Sequence, residues 1–214
     1  MKNLLLLNTS IIVKKNIFLK DPIRLEYGKD RIASYKKGFE ALNKVGIFDN
    51  FDSIHLLDNT VNKESSLPKK ITNLLPKNTK YFCNKNNELG RKNKGAGMLQ
   101  GLQNHSENIT NFDKVFYFEP RLVINDSNFT YTFLSSTKNY FSMESSKRVK
   151  TGYFGSKSID LIEFLESISA VALVEENLHI ELLMYDFYKE KETEFVNNNI
   201  SIWKNYLTGI YEAY

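Results

Sequence analysis

Residues 91–102 read "RKNKGAGMLQGL", and residues 114–124 read "KVFYFEPRLVI". Three cations precede three glycines, and an aromatic run ending in Glu-Pro-Arg follows. A dinucleotide-binding turn needs G-x-G-x-x-G opening a helix directly after a strand. Here the third glycine, Gly101, comes one place late, and the preceding strand signal ends at Cys83. A Walker A loop fails as well, because the G-K-[ST] ending is missing. What remains is a helix from about Gly95 to Asn104 with Gly95 and Gly97 in its first turn and Lys92 and Lys94 just ahead. Such a helix start offers unpaired N–H groups and about half a positive charge, glycines admit a ligand to the backbone, and lysines add full charges. That suits a wall for a diphosphate or sugar. The same glycines read equally as packing residues, since Gly97 and Gly101 lie four apart on one helix face and would let it lie close to a sheet.

Working outward, residues 3–7, "NLLLL", form a short apolar run bounded by "NTS", which predicts a strand entering a polar loop. Residues 31–45 repeat Ile32, Tyr35, Phe39, Leu42 and Val45 at helical spacing. Residues 51–60, "FDSIHLLDNT", predict a buried strand closing on Asp58-Asn59, and "KYFC" (80–83) predicts another ahead of the glycine-bearing helix. The aromatic run 114–124 reads as one strand. This alternation argues for an α/β fold with a mostly parallel central sheet flanked by helices. Further along, "SNFTYTFLSS" predicts a short helix and "NYFSMES" a strand. "TGYFGSK" (151–157) reads as a loop, and "SIDLIEFLESI" as a helix with Ile159, Ile162, Phe164, Leu165 and Ile168 on its apolar side. Residues 177–191 and the aromatic end "ISIWKNYLTGIYEAY" predict two more helices. The Pro-bearing piece 61–79 reads as a solvated or irregular excursion. Repeats and linkers are missing, so residues 1–214 are expected to form one domain, and a chain of that length can bury roughly 70% of its unfolded surface.

Composition narrows the function. A single cysteine, Cys83, and three scattered histidines rule out an intramolecular disulfide and give no zinc spacing, which fits a reducing compartment. The apolar start "MKNLLLLNTSIIVKK" is interrupted by Asn8, Thr9 and Ser10 and lacks a small-residue cleavage site, so it reads as a strand and not a signal peptide. No segment approaches about 18 uninterrupted apolar residues. The formal net charge of +4 suits an anionic ligand but falls short of the dense basic stripe of a nucleic-acid binder. The expected location is the cytoplasm, with the inner face of the membrane as an extension of it: Trp203, Tyr206, Ile210 and Tyr214 on the final helix could rest on a membrane, dock a partner, or pack internally.

The order of these elements resembles the GT-A-fold glycosyltransferases, in particular small bacterial polysaccharide or capsule enzymes. The resemblance is carried by the strand ending in "NTS", the helix "RIASYKKGFEAL", the strand "SIHLLDNT", and "NKGAGMLQGL" followed by "KVFYFEPRLVI". It implies a nucleotide diphosphate sugar as donor and a hydroxyl of a glycan or lipid-linked glycan as acceptor. Donor-binding positions would then be Thr9, Ser10, Asp58, Asn59, Lys94, Gly95 and Gly97. One departure matters: many members hold a divalent metal with Asp-x-Asp on the central strand, and this chain has "FEPRL", Phe118 to Leu122. A single carboxylate, Glu119, makes a weak Mg²⁺ site, whereas Arg121 brings a planar fork suited to two phosphate oxygens. Metal independence is the expectation, with Mg²⁺ or Mn²⁺ not favoured.

Among the carboxylates, Glu181 sits between apolar neighbours on a helix and is the candidate general base, ahead of Glu175 and Glu176. Asp58-Asn59 and Thr9-Ser10 read either as ligand contacts at strand ends or as ordinary turn chemistry. Arg121 either grips phosphate or pairs with Glu119 and steadies the turn. Tyr153 and Phe154 are expected to stack on an acceptor, the alternative being that they plug the core. His55 and His179 read as packed or surface histidines. Other activities compatible with the pattern are a sugar nucleotidyltransferase and a non-catalytic transferase-like binding or assembly module.

Overall fold

A computed structural model describes residues 1–12, 31–197, 202–205 and 211–213. The strands β1 (Asn3–Thr9), β2 (Ser53–Asp58), β3 (Lys80–Cys83) and β4 (Lys114–Phe118) run parallel in the order β3-β2-β1-β4. The sheet continues through β7 (Arg148–Lys157), β6 (Asn139–Ser145) and β8 (Thr193–Val196) to seven strands. Only β7 is reversed, pairing antiparallel with both β4 and β6, while β8 pairs parallel with β6.

Continuous apolar runs form central strands because a sheet covered on both faces must bury alternate residues in both directions. Leu4 and Leu6 face one layer, Leu5 and Leu7 the other, and all four are fully buried. The Leu5 layer is covered by α1 (Arg31–Lys44), the short α2 (Lys69–Thr72) and α6 (Asn128–Ser135). The Leu4 layer lies under α4 (Lys94–Gln103), α5 (Ser106–Ile109), α7 (Ser158–Ser167), α8 (Ala170–Glu175) and α9 (Ile180–Tyr188). A further helix, α3 (Glu88–Lys92), precedes α4. Across the sheet, Tyr117, Phe154 and Phe141 stack in a row, with ring centroids 4.8 and 5.2 Å apart and planes within 11°.

The chain passes from β1 through α1 to β2 on one side, and β4 enters on the other. Strand order therefore reverses between β1 and β4, and the crevice at the carboxyl ends there is where open α/β sheets bind ligands.

Several sequence expectations are corrected. The run 114–124 is two strands: the proline at 120 has no N–H for the ladder, so β4 stops and β5 (Leu122–Ile124) joins a separate small sheet with β9 (Ile202–Asn205) and β10 (Tyr211–Ala213). The expected C-terminal helix is replaced by β9 and β10, because Ile202 and the backbone of Trp203 pair with Ile124 and Val123. Tyr206, Ile210 and Tyr214 lie outside the described residues. The expected loop 151–157 is part of β7, and Tyr153 and Phe154 are fully buried, so they fill the core and cannot stack on an acceptor. Gly155 lets Phe133 lie against the strand, since a Cβ there would come within 2.3 Å of its ring. Ile159 is 75% exposed at the start of α7, outside its apolar face. Within 61–79, Val61, Leu67, Ile71 and Leu75 are buried, anchoring an otherwise exposed excursion.

Candidate active site

At the end of β4 the side chains alternate, and Glu119, whose N–H continues the ladder to Gly152 O at 2.7 Å, falls on the same face as Tyr117. That face looks toward the first residue of α4. Glu119 Oε1 accepts from Arg121 Nε at 2.6 Å and also from Arg121 Nη2, while Lys94 Nζ stands 3.5 Å from Oε2. Pro120 and Leu122 carry their carbonyls against Gly38 of α1, where any Cβ would come within 2.0 Å of the Pro120 oxygen, so the turn that aims Arg121 is seated on that helix.

A third cation reaches this place. Arg31, at the start of α1, donates through Nε to Ser10 O and lies over the Tyr35 ring at 5.7 Å. The Tyr35 hydroxyl accepts from Ser10 N at 2.8 Å. Burial pushes the Glu119 carboxyl up, but Arg121, Lys94 and Arg31 together outweigh it and bring the pKa down to about 2. Glu119 in turn raises Arg121, against the opposing effect of burial. Two paired cations and a third nearby thus hold one carboxylate in its ionised form at neutral pH, at the point of strand reversal.

The other expected site residues divide. Asp58 is 1% exposed and both its oxygens are engaged: Oδ2 by Thr9 Oγ1 and Ile11 N, Oδ1 by Thr60 N, Thr60 Oγ1 and Val61 N, all between 2.5 and 3.2 Å. Ser10 Oγ donates to Asn59 Oδ1 at 2.6 Å, and Asn59 Nδ2 donates to Asn87 Oδ1 at 3.2 Å. Thr9, Ser10, Asp58 and Asn59 therefore lash the loops after β1 and β2 to each other and, through Asn87, to α3. They frame the crevice. Gly95 and Gly97 serve packing: a Cβ on Gly95 would come within 2.6 Å of Ile180, and one on Gly97 within 2.6 Å of Gly90 Cα. Asn93 caps α4 by accepting from Ala96 N and ties it to α8 and the following turn by donating to Leu173 O and Leu178 O. Lys94 projects from this braced start and remains 75% exposed.

Glu181 lies in the first turn of α9, next to the Ile180 that touches Gly95. Its carboxylate is 4.0 Å from Arg148, which also lies 3.7 Å from Glu144. It is brought to the same end of the sheet but into its own ion pair. The donor set at the end of β4 does not fit a divalent cation: both oxygens of Glu119 face cations, and the buried Asp58 is occupied by hydrogen bonds. Among the described residues there is no group of three His, Cys, Asp or Glu that could hold a metal.

Beside the charge cluster, a cavity of about 220 Å³ opens between α4 and the carboxyl ends of β1, β2 and β3. Behind it His105 and His55 form a buried chain: Asn108 Nδ2 lies 3.4 Å from His105 Nδ1, His105 Nε2 lies 2.8 Å from His55 Nδ1, and His55 Nε2 lies 3.1 Å from Ser53 Oγ. Burial lowers His105 to about 3 and His55 to about 4, so both are neutral. Sequence reasoning missed Arg31, Tyr35, Asn8 and this cavity. The only sequence signal for them was position: Arg31 opens an amphipathic helix, and Asn8 interrupts an apolar run.

No protein-family model matches the chain, and no curated protein matches its sequence. Solved structures do match in fold. A candidate nucleotide-diphospho-sugar transferase from Desulfovibrio desulfuricans G20 is similar at TM-score 0.55 and 10% identity, over 92% of this chain and 80% of that one. A galactosyltransferase, LgtC, in complex with donor and acceptor sugar analogues, is similar at 0.51 and 11%, over 91% and 73%. A candidate glucose-1-phosphate thymidylyltransferase from Bacillus anthracis, in complex with sucrose, is similar at 0.55 and 12%, over 95% and 89%. The chain has the GT-A-like fold that these nucleotide-sugar proteins share.

Proposed function

We propose that this protein is a nucleotide-sugar-dependent glycosyltransferase that transfers a sugar from a nucleotide diphosphate to a hydroxyl of a glycan or lipid-linked glycan. The observation that carries the reading is the pairing of Arg121 and Lys94 with Glu119, whose ionised form Arg31 also favours, where the strand order reverses. In the reaction the bond from the anomeric carbon to the diphosphate breaks, its electron pair leaves on a phosphate oxygen, and the acceptor oxygen bonds to that carbon while its proton passes to a base. Fixed cations at the leaving group stabilise the charge that develops there without reorganising. They also stand in for a metal ion, so transfer proceeds in its absence. Glu181, beside the start of α4, takes the base role. Glu181→Gln keeps its shape and removes its basicity, and unchanged turnover in that variant would reject the assignment.

A melting-temperature panel of UDP-, GDP-, CDP- and dTDP-sugars, with and without EDTA, tests the reading. A ligand at 100 times its Kd adds about 2.7 kcal/mol of stability, enough for a clear shift. At least one donor is expected to raise the melting temperature equally in both conditions. No shift with any nucleotide would favour a non-catalytic binding module. The likeness to a candidate thymidylyltransferase supports a second reading, a sugar nucleotidyltransferase. Release of pyrophosphate from a nucleoside triphosphate and a sugar 1-phosphate would select it.

A further inference from the structure

We infer that the cavity under α4 is a subsite for a neutral heterocycle with an imide edge, a uracil or thymine ring, and that Gly101 and Gln100 of α4 select it. The inference rests on the donor reading above and adds the class of base. The wall is built from six carboxamides, those of Asn8, Asn59, Asn84, Asn86, Gln100 and Asn104. Each carboxamide offers a donor and an acceptor, the complement of an imide, where an N–H lies between two carbonyls.

Among the described residues the one full charge on this wall is the Asp58 carboxylate. It accepts hydrogen bonds from Thr9, Ile11, Thr60 and Val61 and has no oxygen free for the paired N–H groups of guanine. Burial holds His105 neutral and pushes the Cys83 thiol up to about 11, so neither adds charge at neutral pH. Among the described residues no lysine or arginine lines the cavity, which leaves phosphate to the neighbouring cations.

Two further features point to an occupant. Gln100 Oε1 is sealed from solvent and has no hydrogen-bond partner among the described residues, a costly state unless a ligand N–H supplies one. Gly101 stands inside a helix, where glycine is less stable than alanine. Its helix neighbours Gly95 and Gly97 are required by packing, but a Cβ on Gly101 would meet only Asn8 Oδ1, at an ordinary 3.8 Å. What that Cβ would enter is the cavity. Asn8 is itself oriented, because its Nδ2 donates to the buried Tyr117 hydroxyl at 2.7 Å.

The test is calorimetric titration with UMP, TMP, CMP, AMP, GMP and inorganic pyrophosphate, on the wild-type chain and on Gly101→Leu and Gln100→Met. UMP and TMP are expected to bind wild type at least about tenfold more tightly than the other three nucleotides, the order of one lost buried hydrogen bond. Both variants are expected to lose about tenfold or more of UMP affinity, keep pyrophosphate affinity and keep the wild-type melting temperature. Gly101→Ala, which adds one carbon in open space, serves if the leucine variant is unstable, with a smaller loss expected in the same direction. Equal binding of purine nucleotides, or UMP affinity untouched by Gly101 and Gln100 substitutions, would overturn the base assignment and leave the donor reading standing. Failure of wild type to bind any nucleotide or pyrophosphate would overturn both.

Discussion

The two ends of β4 each hold a cation out of bulk water, and what surrounds it differs. At the amino end Lys114, 2% exposed, donates to the carbonyls of Phe133, Leu134 and Ser136 and lies 5.3 Å from the centre of the Phe133 ring. These carbonyls close α6, the end of a helix where partial negative charge gathers, so the ammonium is matched by the backbone. At the carboxyl end Arg121 and Lys94 pair with Glu119, whose ionised form Arg31 also favours, and among the described residues no second carboxylate pairs with Arg121 or Lys94. The first arrangement is complete within the fold; the second, among the described residues, gathers more positive than negative charge at an open crevice. Burial of a charge therefore does not mark a site, whereas an unbalanced charge does.

Substitution at the open end should have the largest effect. Arg121→Ala is expected to lower turnover by about 10² to 10³-fold, the scale for losing one preorganised group that stabilises developing charge. Arg121→Lys should restore only part, because an ammonium lacks the bidentate fork. Steady-state kinetics decide it, and wild-type rates in Arg121→Ala would remove the residue from the mechanism. At the closed end Lys114→Ala is expected to cost about 3 kcal/mol of unfolding free energy, from the void and three orphaned carbonyls, with nucleotide affinity of the folded protein unchanged. A loss of affinity without a loss of stability would reverse the contrast between the two ends.

Acid sharpens the comparison in a different way. His55 and His105 fall from the ordinary 6.5 to about 4 and about 3 in the folded protein. The unfolded chain binds more protons, so stability is fully present above pH 6.5 and declines as the pH drops toward 4 and 3. Glu119, lowered from 4.5 to about 2, has the same sign: its contribution is present above 4.5 and is lost as pH falls toward 2. Melting temperature should start to fall near pH 6.5, and His105→Gln should flatten the slope above pH 5. A flat profile in wild type would mean the buried pair is not neutral. The smallest effect is expected for Lys94→Ala. This lysine is 75% exposed, so the change should weaken pyrophosphate binding several-fold, about 1 kcal/mol, and leave the melting temperature unchanged.

The parallel half of the sheet was legible because local patterns agree with the tertiary outcome. The runs at Leu4–Leu7 and Ile54–Leu57 are apolar on both sides, and helix periodicity between them leaves one topology. The reversal point, and with it Glu119 and Arg121, followed from that order. The other half was not legible. "ISIWKNYLTGIYEAY" has helical spacing by composition, but its edge pairs with β5, a contact between residues about 80 apart. Tyr153 and Phe154 resemble a polar loop's aromatics until β4 and β6 are placed on either side of them.

Within the site, sequence by itself determined residue types at strand ends and helix starts: Thr9, Asp58, Asn59, Lys94, Glu119 and Arg121 all lie at the carboxyl edge of the sheet, as their positions in the predicted strands and helices require. Which of them is free to act was decided only by the tertiary structure. Asp58 and Thr9 are bound to each other across adjacent strands, Gly95 and Gly97 are held by Ile180 and Gly90, and Gly101 alone of the three faces open space. Spacing along the chain fixes the direction in which a side chain leaves the backbone, but the partner it meets comes from another strand or helix. That partner determines whether a charge, an amide or a missing side chain is taken up by the fold or left for a ligand.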